Sequence, residues 1–579
     1  MLHTGEAVGK MNKAKGVQVK MIAEKRAWPI VHCHLLLIFT AALHAQSPFI
    51  YYRGVVNVAS YMPPGLPSGG IAQGGQFSIF GSNLGPATSP TLAFPLATTL
   101  AGVSISVTQG ATTVAAIPVF LSPGQINAIM PSNTPLGQAS LRVTYNNFKS
   151  NLVPVNIVAS SFGIFSSTGT GQGPGSIQNY SATGLPLNGL NAPASIGQLE
   201  ILYGVGLGAA LGPDNMQPVS GNLPTQVEVF VGGVSATVLY SGRASCCSGI
   251  DQINFMIPSG APSGCWVPVA VRTQGTIVSN TVTMAVGAGS SCTEPNNPLA
   301  TALISGGRQA SLFAARISTR HDVNVVAALE AMSDYAAGTL FQQQSGAYNF
   351  NPYVSLPPAG SCTTYSVSSY SPSEVPLFTG LTPTGKALNA GTLSIAGSSG
   401  APLAIPTNLV PGYAAGYLGG AVPLISQLPA TLFLNPGAFT MAAQGGTDIP
   451  AFSVPFTMPA PFTWTNRDSL NSVTRSQPLT VSWTGVASGA TVFVAGGGAD
   501  IPNSASTAFV CLAHPGDLTL TVPPLVLANV PAQHTRASQS LGVIYVGEMP
   551  LTSPTVFTAG TASGQLLPAQ VLGKSVSFQ

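Results

Sequence analysis

The sequence predicts an all-β protein built from several β-sandwich modules. Apolar residues are plentiful but are interrupted throughout by glycine, proline, asparagine and serine, which is the pattern of short strands joined by tight turns. Apolar and small polar residues alternate with period two in several segments. In addition, a unit of about 120 residues occurs twice, which indicates repeated modules.

The composition argues against disorder. Glycine (65) and proline (49) together make up about a fifth of the 579 residues. However, 45% of the chain is hydrophobic and 6% is charged, whereas disordered segments combine low hydrophobicity with high charge. A chain of this length has room for roughly three to five domains.

Residues 1–45 are predicted to be a signal peptide. Lys25 and Arg26 provide a positive segment, residues 35–43 (LLLIFTAAL) form an apolar run, and a cleavage site follows Ala45. Met21 is an in-frame alternative start that would give a leader of ordinary length. A cluster at residues 32–34 (HCH) has the residue types of a metal site but lies inside the leader, so we assign no metal to it.

The leader also accounts for the apparent positive charge. The whole chain has a formal net charge of +3, but the residues after 45 include 13 basic and 14 acidic ones, a net charge of −1. Such a chain has no basic field to hold nucleic acid or an anionic membrane. No later segment is an apolar run long enough to cross a bilayer, so we expect no integral membrane segment after cleavage of the leader.

Removal of the leader leaves six of the seven cysteines. An even number in an exported chain favours disulfides, and no CxxC pair or nearby histidine supports zinc ligation. We expect the two adjacent cysteines to reach different partners. The nearest remaining two are candidates for one pair, which leaves the last two for another, although six cysteines allow 15 connectivities. In chain order the six are Cys246, Cys247, Cys265, Cys292, Cys362 and Cys511.

An internal duplication follows the leader. Residues 75–85 (GQFSIFGSNLG) return as residues 197–208 (GQLEILYGVGLG). About fifty residues after each copy comes a second echo, in which 122–127 (SPGQIN) matches 249–254 (GIDQIN). The length of the repeated unit is that of one β-sandwich.

The strands of each copy are visible in the sequence. Valine or isoleucine occupies every second position at 103–107 (VSISV) and at 227–231 (VEVFV). The second of these segments ends at residues 232–233 (GG), a hairpin signal. We expect Asn127 and Asn254 to hydrogen-bond a loop backbone and not a ligand.

This succession of a strand, Gly-x-x-Leu-Gly, a hairpin, Gln-Ile-Asn-x-x-x-Pro and a valine-rich strand resembles the IPT/TIG-like immunoglobulin-fold modules. It is more closely similar to the Solibacter-type module that recurs in secreted acidobacterial proteins. The first copy carries the pattern well, and the second departs at its start and adds cysteines. The resemblance covers residues 54–288. It implies tandem immunoglobulin-like β-sandwiches at 46–165 and 166–290 and export from the cell, and it implies no catalytic residues.

Residues 291–365 are predicted to be a β-rich connecting region. Within it, residues 323–332 (VNVVAALEAM) have the propensity of a helix, and a buried strand pair is an open alternative. Residues 366–465 and 466–579 are predicted to form further β-sandwich modules, the latter C-terminal.

Two Asp-Ile-Pro echoes occur in this second half, at Asp448 and Asp500. A calcium ion needs six to eight oxygen ligands, several of them from carboxylates. Neither aspartate has an acidic neighbour in the sequence, so we interpret both as turn residues.

Catalytic chemistry has little support in the sequence. The chain after the leader holds His321, His514 and His534 but no Gly-x-Ser-x-Gly motif. Residues 320–322 (RHD) and 204–208 (GVGLG) match fragments of kinase and dinucleotide-binding motifs without their remaining parts. The acidic residues form no recognisable pair. We therefore expect no catalytic residues, no cofactor and no metal.

The strongest candidate binding site is a cluster of aromatic and charged residues. Exposed rings would stack on sugars, and neighbouring arginine and aspartate side chains would hydrogen-bond the hydroxyls. The alternative is that both tryptophans are core anchors, their usual role in such folds. The predicted glycan contacts are Trp464, Trp483, Tyr413 and Tyr417, with Arg467, Asp468 and Arg475 between the tryptophans.

These observations predict a secreted or cell-surface, non-enzymatic protein whose modules serve as spacers and contact surfaces in adhesion or matrix. Its expected partners are extracellular polysaccharide or other surface proteins. The alternative is a polysaccharide-binding or polysaccharide-active protein with its site in residues 366–579.

Overall fold

The computed structural model describes most of the chain after the predicted leader. Ser47–Gln579 forms one compact unit. In the part that the structure describes, the regular secondary structure is strands and two short helices, which confirms the all-β prediction. The leader, residues 1–45, lies outside the described residues. The described residues are 47–294, 297, 299–321, 329–352, 354–368, 385–398, 401–405, 407–408, 416–419, 432–500, 505–532 and 542–579.

The first sandwich contains ten strands: β1 (Phe49–Asn57), β2 (Ile71–Ala72), β3 (Gln76–Ser82), β4 (Thr99–Leu100), β5 (Val103–Gln109), β6 (Thr112–Leu121), β7 (Gln125–Ile129), β8 (Gly137–Tyr145), β9 (Phe148–Lys149) and β10 (Val153–Val158). They pair in the order β1-β3-β7-β6-β5-β8-β10-β2, with β4 on β5 and β9 on β8. Strand β6 belongs to both layers, because residues 112–116 pair with β5 and residues 117–121 pair with β7. A bulge between Pro118 and Phe120 bends the strand near this change of partner.

The core of the first sandwich follows the alternation of its strands. Successive side chains of a strand point to opposite faces. Accordingly, Phe77 and Ile79 from β3 and Val103, Ile105 and Val107 from β5 are at most 1% exposed.

The second sandwich repeats this plan with nine strands: β11 (Gly163–Ile164), β12 (Ile177–Asn179), β13 (Leu199–Val205), β14 (Val227–Val231), β15 (Val234–Arg243), β16 (Asp251–Met256), β17 (Gly264–Thr273), β18 (Ile277–Val278) and β19 (Val282–Val286). The order is β11-β13-β16-β15-β14-β17-β18, with β12 on β13 and β19 on β17. Strand β15 corresponds to β6. It too pairs with one strand in each layer and has a bulge, here between Val238 and Tyr240. The same pairing order in both sandwiches is what the duplication predicts.

The hairpin predicted at residues 232–233 is present. Val231 and Val234 face each other as the last pair of β14 and β15. The two glycines between them have φ of 59° and 85°, and a two-residue hairpin turn with both φ positive is the type that glycine favours.

The two motif asparagines make side-chain contacts, so the expectation that they bind a loop backbone is wrong. Asn127 accepts from the Ser78 hydroxyl (2.9 Å) and the Gln125 amide (2.8 Å). Asn254 accepts from the Gln252 amide at 2.9 Å. Both lie within strands, where residues i and i+2 share a face, so the glutamine two positions earlier is the closest donor.

A buried ion pair joins the two sandwiches. Arg243 and Asp251 are 4% and 0% exposed, and an Arg243 Nη1–H donates to Asp251 Oδ1. Arg243 Nη2 also donates to the carbonyls of Gly74 in the first sandwich (2.8 Å) and Gly208 in the second (2.5 Å). The other Asp251 oxygen accepts from the backbone N–H groups of residues 206–207. Since a buried charge is tolerated only when paired, this network fixes the junction.

The C-terminal half begins with helix α1 (Ala300–Ser305) and contains helix α2 (Pro524–Leu527). Its first ten strands are β20 (Gly307–His321), β21 (Leu329–Gln343), β22 (Cys362–Ser368), β23 (Lys386–Ala387), β24 (Leu393–Gly397), β25 (Leu403–Ile405), β26 (Thr407–Asn408), β27 (Gly416–Gly419), β28 (Gly437–Ala443) and β29 (Phe452–Met458). The others are β30 (Thr463–Trp464), β31 (Ser472–Val473), β32 (Leu479–Thr484), β33 (Thr491–Asp500), β34 (Ala505–Leu512), β35 (Thr519–Val522), β36 (Gly542–Met549), β37 (Thr555–Ala559) and β38 (Ala562–Phe578).

One long sheet organises this half. Its order is β22-β34-β33-β36-β38-β20-β21-β27-β26, with β23 on β21 and with β31 and β37 on β38. Strands β20 and β21 form a hairpin of 15 residues each, and β20 runs parallel to the 17-residue β38. Two smaller sheets, β25-β24-β28-β29 and β30-β32-β35, pack on this long sheet.

Two hydrophobic cores result. The third sandwich is formed by the long sheet and the sheet β25-β24-β28-β29. Its core contains Leu312, Leu340 and Leu566 from the long sheet and Met441 from β28. The C-terminal sandwich is formed by the long sheet and the sheet β30-β32-β35. Its core contains Val494, Phe509 and Phe578 from the long sheet and side chains of β30 and β32. Both sandwiches thus share strand β38.

Residues 291–365 do not only connect modules as predicted, because they also supply strands β20 and β21 to the long sheet. Their hairpin β20–β21 lies inside the long sheet, because β20 pairs with the last strand of the chain over thirteen residues. For residues 323–332 the sequence allows either a helix or a strand. Residues 329–332 lie in β21, and residues 323–328 lie outside the described part. The strand alternative is therefore correct where the structure describes the segment.

The two aspartates of the Asp-Ile-Pro echoes differ in position. Asp448 lies in the loop between β28 and β29, where its carboxylate accepts from Asn389 N at 2.9 Å. Asp500 is the last residue of β33, so its assignment to a turn is wrong.

Candidate binding cleft

A cleft of about 370 Å³ lies between the second sandwich and the C-terminal sandwich. We refer to it below as the cleft. Ligand sites occur preferentially where domains meet, and volumes of about 300–1,000 Å³ are usual for them. The cleft is therefore the candidate binding site of the described chain.

The first wall is the β14–β15 hairpin with its neighbour β17. Phe230 lies on β14 between the core residues Val229 and Val231, so its side chain points away from the core, towards the cleft that it lines. Arg272 lies over this ring, with Cζ 5.0 Å from the ring centroid, and forms a two-point ion pair with Glu228 at 2.7 Å. The guanidinium charge beside the ring is thus already neutralised.

The second wall is the segment from Asp517 through β35 to helix α2. In β35 Thr519 and Thr521 are exposed, Leu520 is half-buried and Val522 is buried. This alternation presents two hydroxyl-bearing side chains on one side of the strand.

The two walls meet at a polar floor. Thr281 of the second sandwich and Thr364 of β22 are both buried, and their hydroxyl oxygens lie 2.7 Å apart in a hydrogen bond. Asn529, after α2, donates from Nδ2 to the carbonyl of Ser279 at 3.2 Å. Both contacts cross between the sandwiches and hold the walls in place.

Asn529 carries an unusual feature of the floor. It is 3% exposed, and its Oδ1 has no hydrogen-bond partner in the part of the chain that the structure describes. Because the Ser279 carbonyl only accepts, the amide nitrogen must face it and the oxygen is left over. A buried acceptor in this state carries a desolvation cost of about 1–3 kcal/mol.

The charge of the cleft is small and negative. Among its described lining residues, Asp517 supplies a negative charge, and no lysine or arginine supplies a positive one. Asp517 is exposed and accepts from the backbone N–H of His514 at 3.0 Å. The arrangement suits a neutral ligand that can donate hydrogen bonds.

The predicted glycan contacts at the tryptophans are wrong. Trp464 and Trp483 are 4% and 1% exposed and face each other as a pair between β30 and β32. Their indole N–H groups donate to Asn466 Oδ1 (2.8 Å) and to the Asp517 carbonyl (3.0 Å). Rings of this size are held in the core by the apolar area they bury, so the core-anchor alternative is the correct one.

The charged residues between the tryptophans hold strands together. Arg467 donates to the Gly573 carbonyl at 2.7 Å and to Glu330 at 2.8 Å. Asp468 accepts from Arg320 at 2.6 Å, and Arg475 donates to the Val530 carbonyl at 3.1 Å. These contacts are structural.

Of the two tyrosines, the structure describes Tyr417, and only through its backbone pairing. Tyr413 lies outside the described residues. Tyr417 is in β27, where the backbone of residue 417 pairs with Gly338 of β21. Their proposed glycan contacts stay predictions.

The six cysteines form three disulfides. Cys265–Cys292 and Cys362–Cys511 are paired as the spacing suggested. However, Cys246 is joined to Cys247, so the expectation of different partners is wrong. The loop of residues 244–250 that holds them is closed on itself by backbone hydrogen bonds, and the other four cysteines are already paired.

The described histidines have separate partners. His514 Nδ1 lies 3.4 Å from Asp517 Oδ2 at the edge of the cleft, whereas His321 Nδ1 lies 2.8 Å from the Ser575 hydroxyl. His534 lies outside the described residues. Two cysteines and Glu294 form the one described group with metal-ligand geometry, but both sulfurs are used in the Cys265–Cys292 disulfide.

None of the helices that the structure describes is long and apolar enough to cross a bilayer.

Comparison with protein-family models and with curated proteins gave no match. Among solved structures, the chain is similar to SGBP-B of the Bacteroides ovatus mixed-linkage glucan utilization locus (13% identity, TM-score 0.12), covering 78% of this chain and 83% of that one. It is also similar to domains 4–9 of the surface layer protein SbsC (12% identity, TM-score 0.17), covering 89% and 83%. A third match is to domains A168–A170 of titin (8% identity, TM-score 0.13), covering 71% and 99%. TM-scores this low establish no shared arrangement. The conclusion that the chain consists of tandem β-sandwiches, two of them related by duplication, rests on its own strand pairing.

Proposed function

We propose that the protein is a secreted, non-enzymatic, multi-module β-sandwich protein that binds at the cell surface or in the extracellular matrix. In this proposal its first two modules are of the Solibacter-type IPT/TIG-like kind that their motifs resemble. The observation that carries the proposal is the pairing of all six cysteines after the leader into three disulfides, because such bonds persist in oxidising compartments. The predicted leader supports the same location.

The junctions between modules support a role in positioning a binding surface. Besides the Arg243–Asp251 network, Gln76 of the first sandwich donates from its side chain to the Ser248 carbonyl of the second at 2.7 Å. The second and C-terminal sandwiches are tied through the Thr281–Thr364 hydrogen bond. Modules fixed in this way act as a rigid spacer that presents the cleft between them.

The test is to express the full chain in its native host and to fractionate the culture. We expect the protein in the medium or on the cell surface, beginning at Gln46, and we expect it to sediment with isolated cell-surface material. Recovery in the cytosol with an intact leader, or no sedimentation with any surface fraction, would contradict the proposal.

A polysaccharide-binding or polysaccharide-active protein is the second candidate. The observation that favours it is the wall of the cleft that comes from residues 517–529, inside the C-terminal region in which we expect such a site. Incubation of the purified protein with polysaccharides, followed by analysis of reducing ends, separates the two forms of this candidate. Release of new reducing ends would show an enzyme and would overturn the non-enzymatic proposal.

A further inference from the structure

We propose that the cleft binds a neutral oligosaccharide. This inference rests on the proposed surface-binding function and adds to it the position of the site and the chemical class of its ligand. The cleft lies between modules, so neither sandwich alone contains the complete site.

The charge of the cleft selects against anionic ligands. An anion would meet the exposed carboxylate of Asp517, with neither lysine nor arginine among the described lining residues. The nearby Arg272 is occupied by its two-point ion pair with Glu228. A neutral ligand avoids this repulsion.

The polar groups of the cleft require a ligand that donates hydrogen bonds. A carboxylate accepts only, and the hydroxyl of Thr519 both donates and accepts. The hydroxyl of Thr521 also lines the cleft, and it shares a hydrogen bond of 2.9 Å with the Thr480 hydroxyl. Asn529, which lines the cleft, has a buried Oδ1 acceptor for which the described protein surroundings supply no donor. Sugar hydroxyls, which donate as well as accept, meet all these requirements.

The apolar groups of the cleft fit the other property of a sugar. Phe230 and Pro523 line the same space as the polar groups. A pyranose ring presents C–H groups on its faces and hydroxyls at its edge, so its face packs on the aromatic ring while its edge reaches the threonines. A volume of about 370 Å³ fits a short segment of a chain, because it lies near the lower limit of the usual range of about 300–1,000 Å³.

Isothermal titration calorimetry of the secreted protein, residues 46–579, tests the inference. The neutral probes are cellohexaose, maltohexaose, xylohexaose and mannohexaose, and the anionic probe is oligogalacturonate. Two variants alter the cleft: Thr519→Trp places a large side chain at an exposed position of its wall, and Phe230→Ala removes its aromatic ring. The matched control is Phe148→Ala, which removes a 45% exposed phenylalanine from the first sandwich. Thermal unfolding confirms that each variant is folded.

We expect at least one neutral probe to bind and the anionic probe to bind roughly tenfold more weakly or not at all. Thr519→Trp and Phe230→Ala should each weaken binding roughly tenfold or more, whereas Phe148→Ala should leave it within about twofold. Absence of binding to all four neutral probes would overturn the inference. Binding that survives unchanged in a folded Thr519→Trp protein would overturn it as well. Neither of these results changes the fractionation experiment, so a failure of the cleft and a failure of the proposed function are distinguishable.

Discussion

Replacement of Glu200 by glutamine should stabilise the second sandwich increasingly as the pH rises. Glu200 lies in β13, between Asn179 of β12 and Phe255 of β16, and is fully buried. Neither of its carboxylate oxygens has a hydrogen-bond partner among the described residues. Burial therefore raises the pKa of this carboxyl from 4.5 to about 9, because the charged form is poorly solvated there.

The sign of the effect follows from proton binding. Between pH 4.5 and about 9 the folded chain keeps a proton that the unfolded chain has lost, so folding becomes less favourable as the pH increases. One proton changes the free energy of unfolding by about 1.4 kcal/mol per pH unit, or about 4 kcal/mol between pH 5 and pH 8. The stability is complete below the unfolded pKa and is lost as the pH rises through the folded pKa. Glutamine stays neutral throughout and removes this dependence.

Urea unfolding at pH 5 and pH 8, with hydrogen exchange of peptides that cover residues 199–205, measures the difference. Glu200→Gln should gain stability over the parent chain by about 4 kcal/mol more at pH 8 than at pH 5. The matched control is Glu228→Gln in β14. Arg272 lowers the pKa of Glu228 by hydrogen bonding, so this carboxylate is ionised in both states over that pH range and its replacement should add no pH dependence. Equal pH dependence of Glu200→Gln and the parent chain would show that burial does not hold a proton on Glu200.

Three other predictions concern the junction, a disulfide and the C-terminal core. Arg243→Met should lower the free energy of unfolding by about 3–5 kcal/mol, because it leaves Asp251 buried without its partner; unchanged urea unfolding would contradict this. Replacing both Cys362 and Cys511 by alanine removes a disulfide between residues 149 positions apart and should lower the free energy of unfolding by about 2–5 kcal/mol. Calorimetry of the double variant should show a lower melting temperature, and an unchanged melting temperature would show that this disulfide is dispensable. Trp483→Ala should lower the free energy of unfolding by about 3–5 kcal/mol, whereas Trp483→Phe should lower it by less. Equal melting temperatures for both variants and the parent chain would argue against a core role for Trp483.

The duplicated half of the fold was accessible from the sequence. Alternation at Val103, Ile105 and Val107 is local, and so is the glycine pair at the β14–β15 turn, so each could be recognised without knowledge of distant residues. The equivalent order of pairing in both sandwiches follows from repeating these local signals.

The second half was less accessible, because its central pairing is distant in the chain. Strand β20 pairs with β38 from Arg308↔Ala562 to Arg320↔Lys574, and no periodicity of the sequence records which strand a given strand will meet. For the same reason the region 291–365 looked like a connection.

The candidate site illustrates a second limit. Aromatic residues beside charges often mark a binding surface, as the sequence around Trp464 and Trp483 suggests, but residue type does not tell a core ring from an exposed one. The cleft is assembled from Phe230 and Thr519, which no motif connects. The junction does have a signal in the sequence, because Arg243 and Asp251 are of opposite charge and are two of the few charged residues in the repeated half.

Export and disulfide stabilisation of the β-sandwiches are the basis of the proposed function. Both can be measured on the protein recovered from its native host by non-reducing peptide mapping with mass spectrometry, with thiol alkylation before digestion. We expect an N-terminus at Gln46, no alkylated cysteine, and the pairs Cys246–Cys247, Cys265–Cys292 and Cys362–Cys511. An intracellular protein that keeps residues 1–45 and has alkylated cysteines would contradict it.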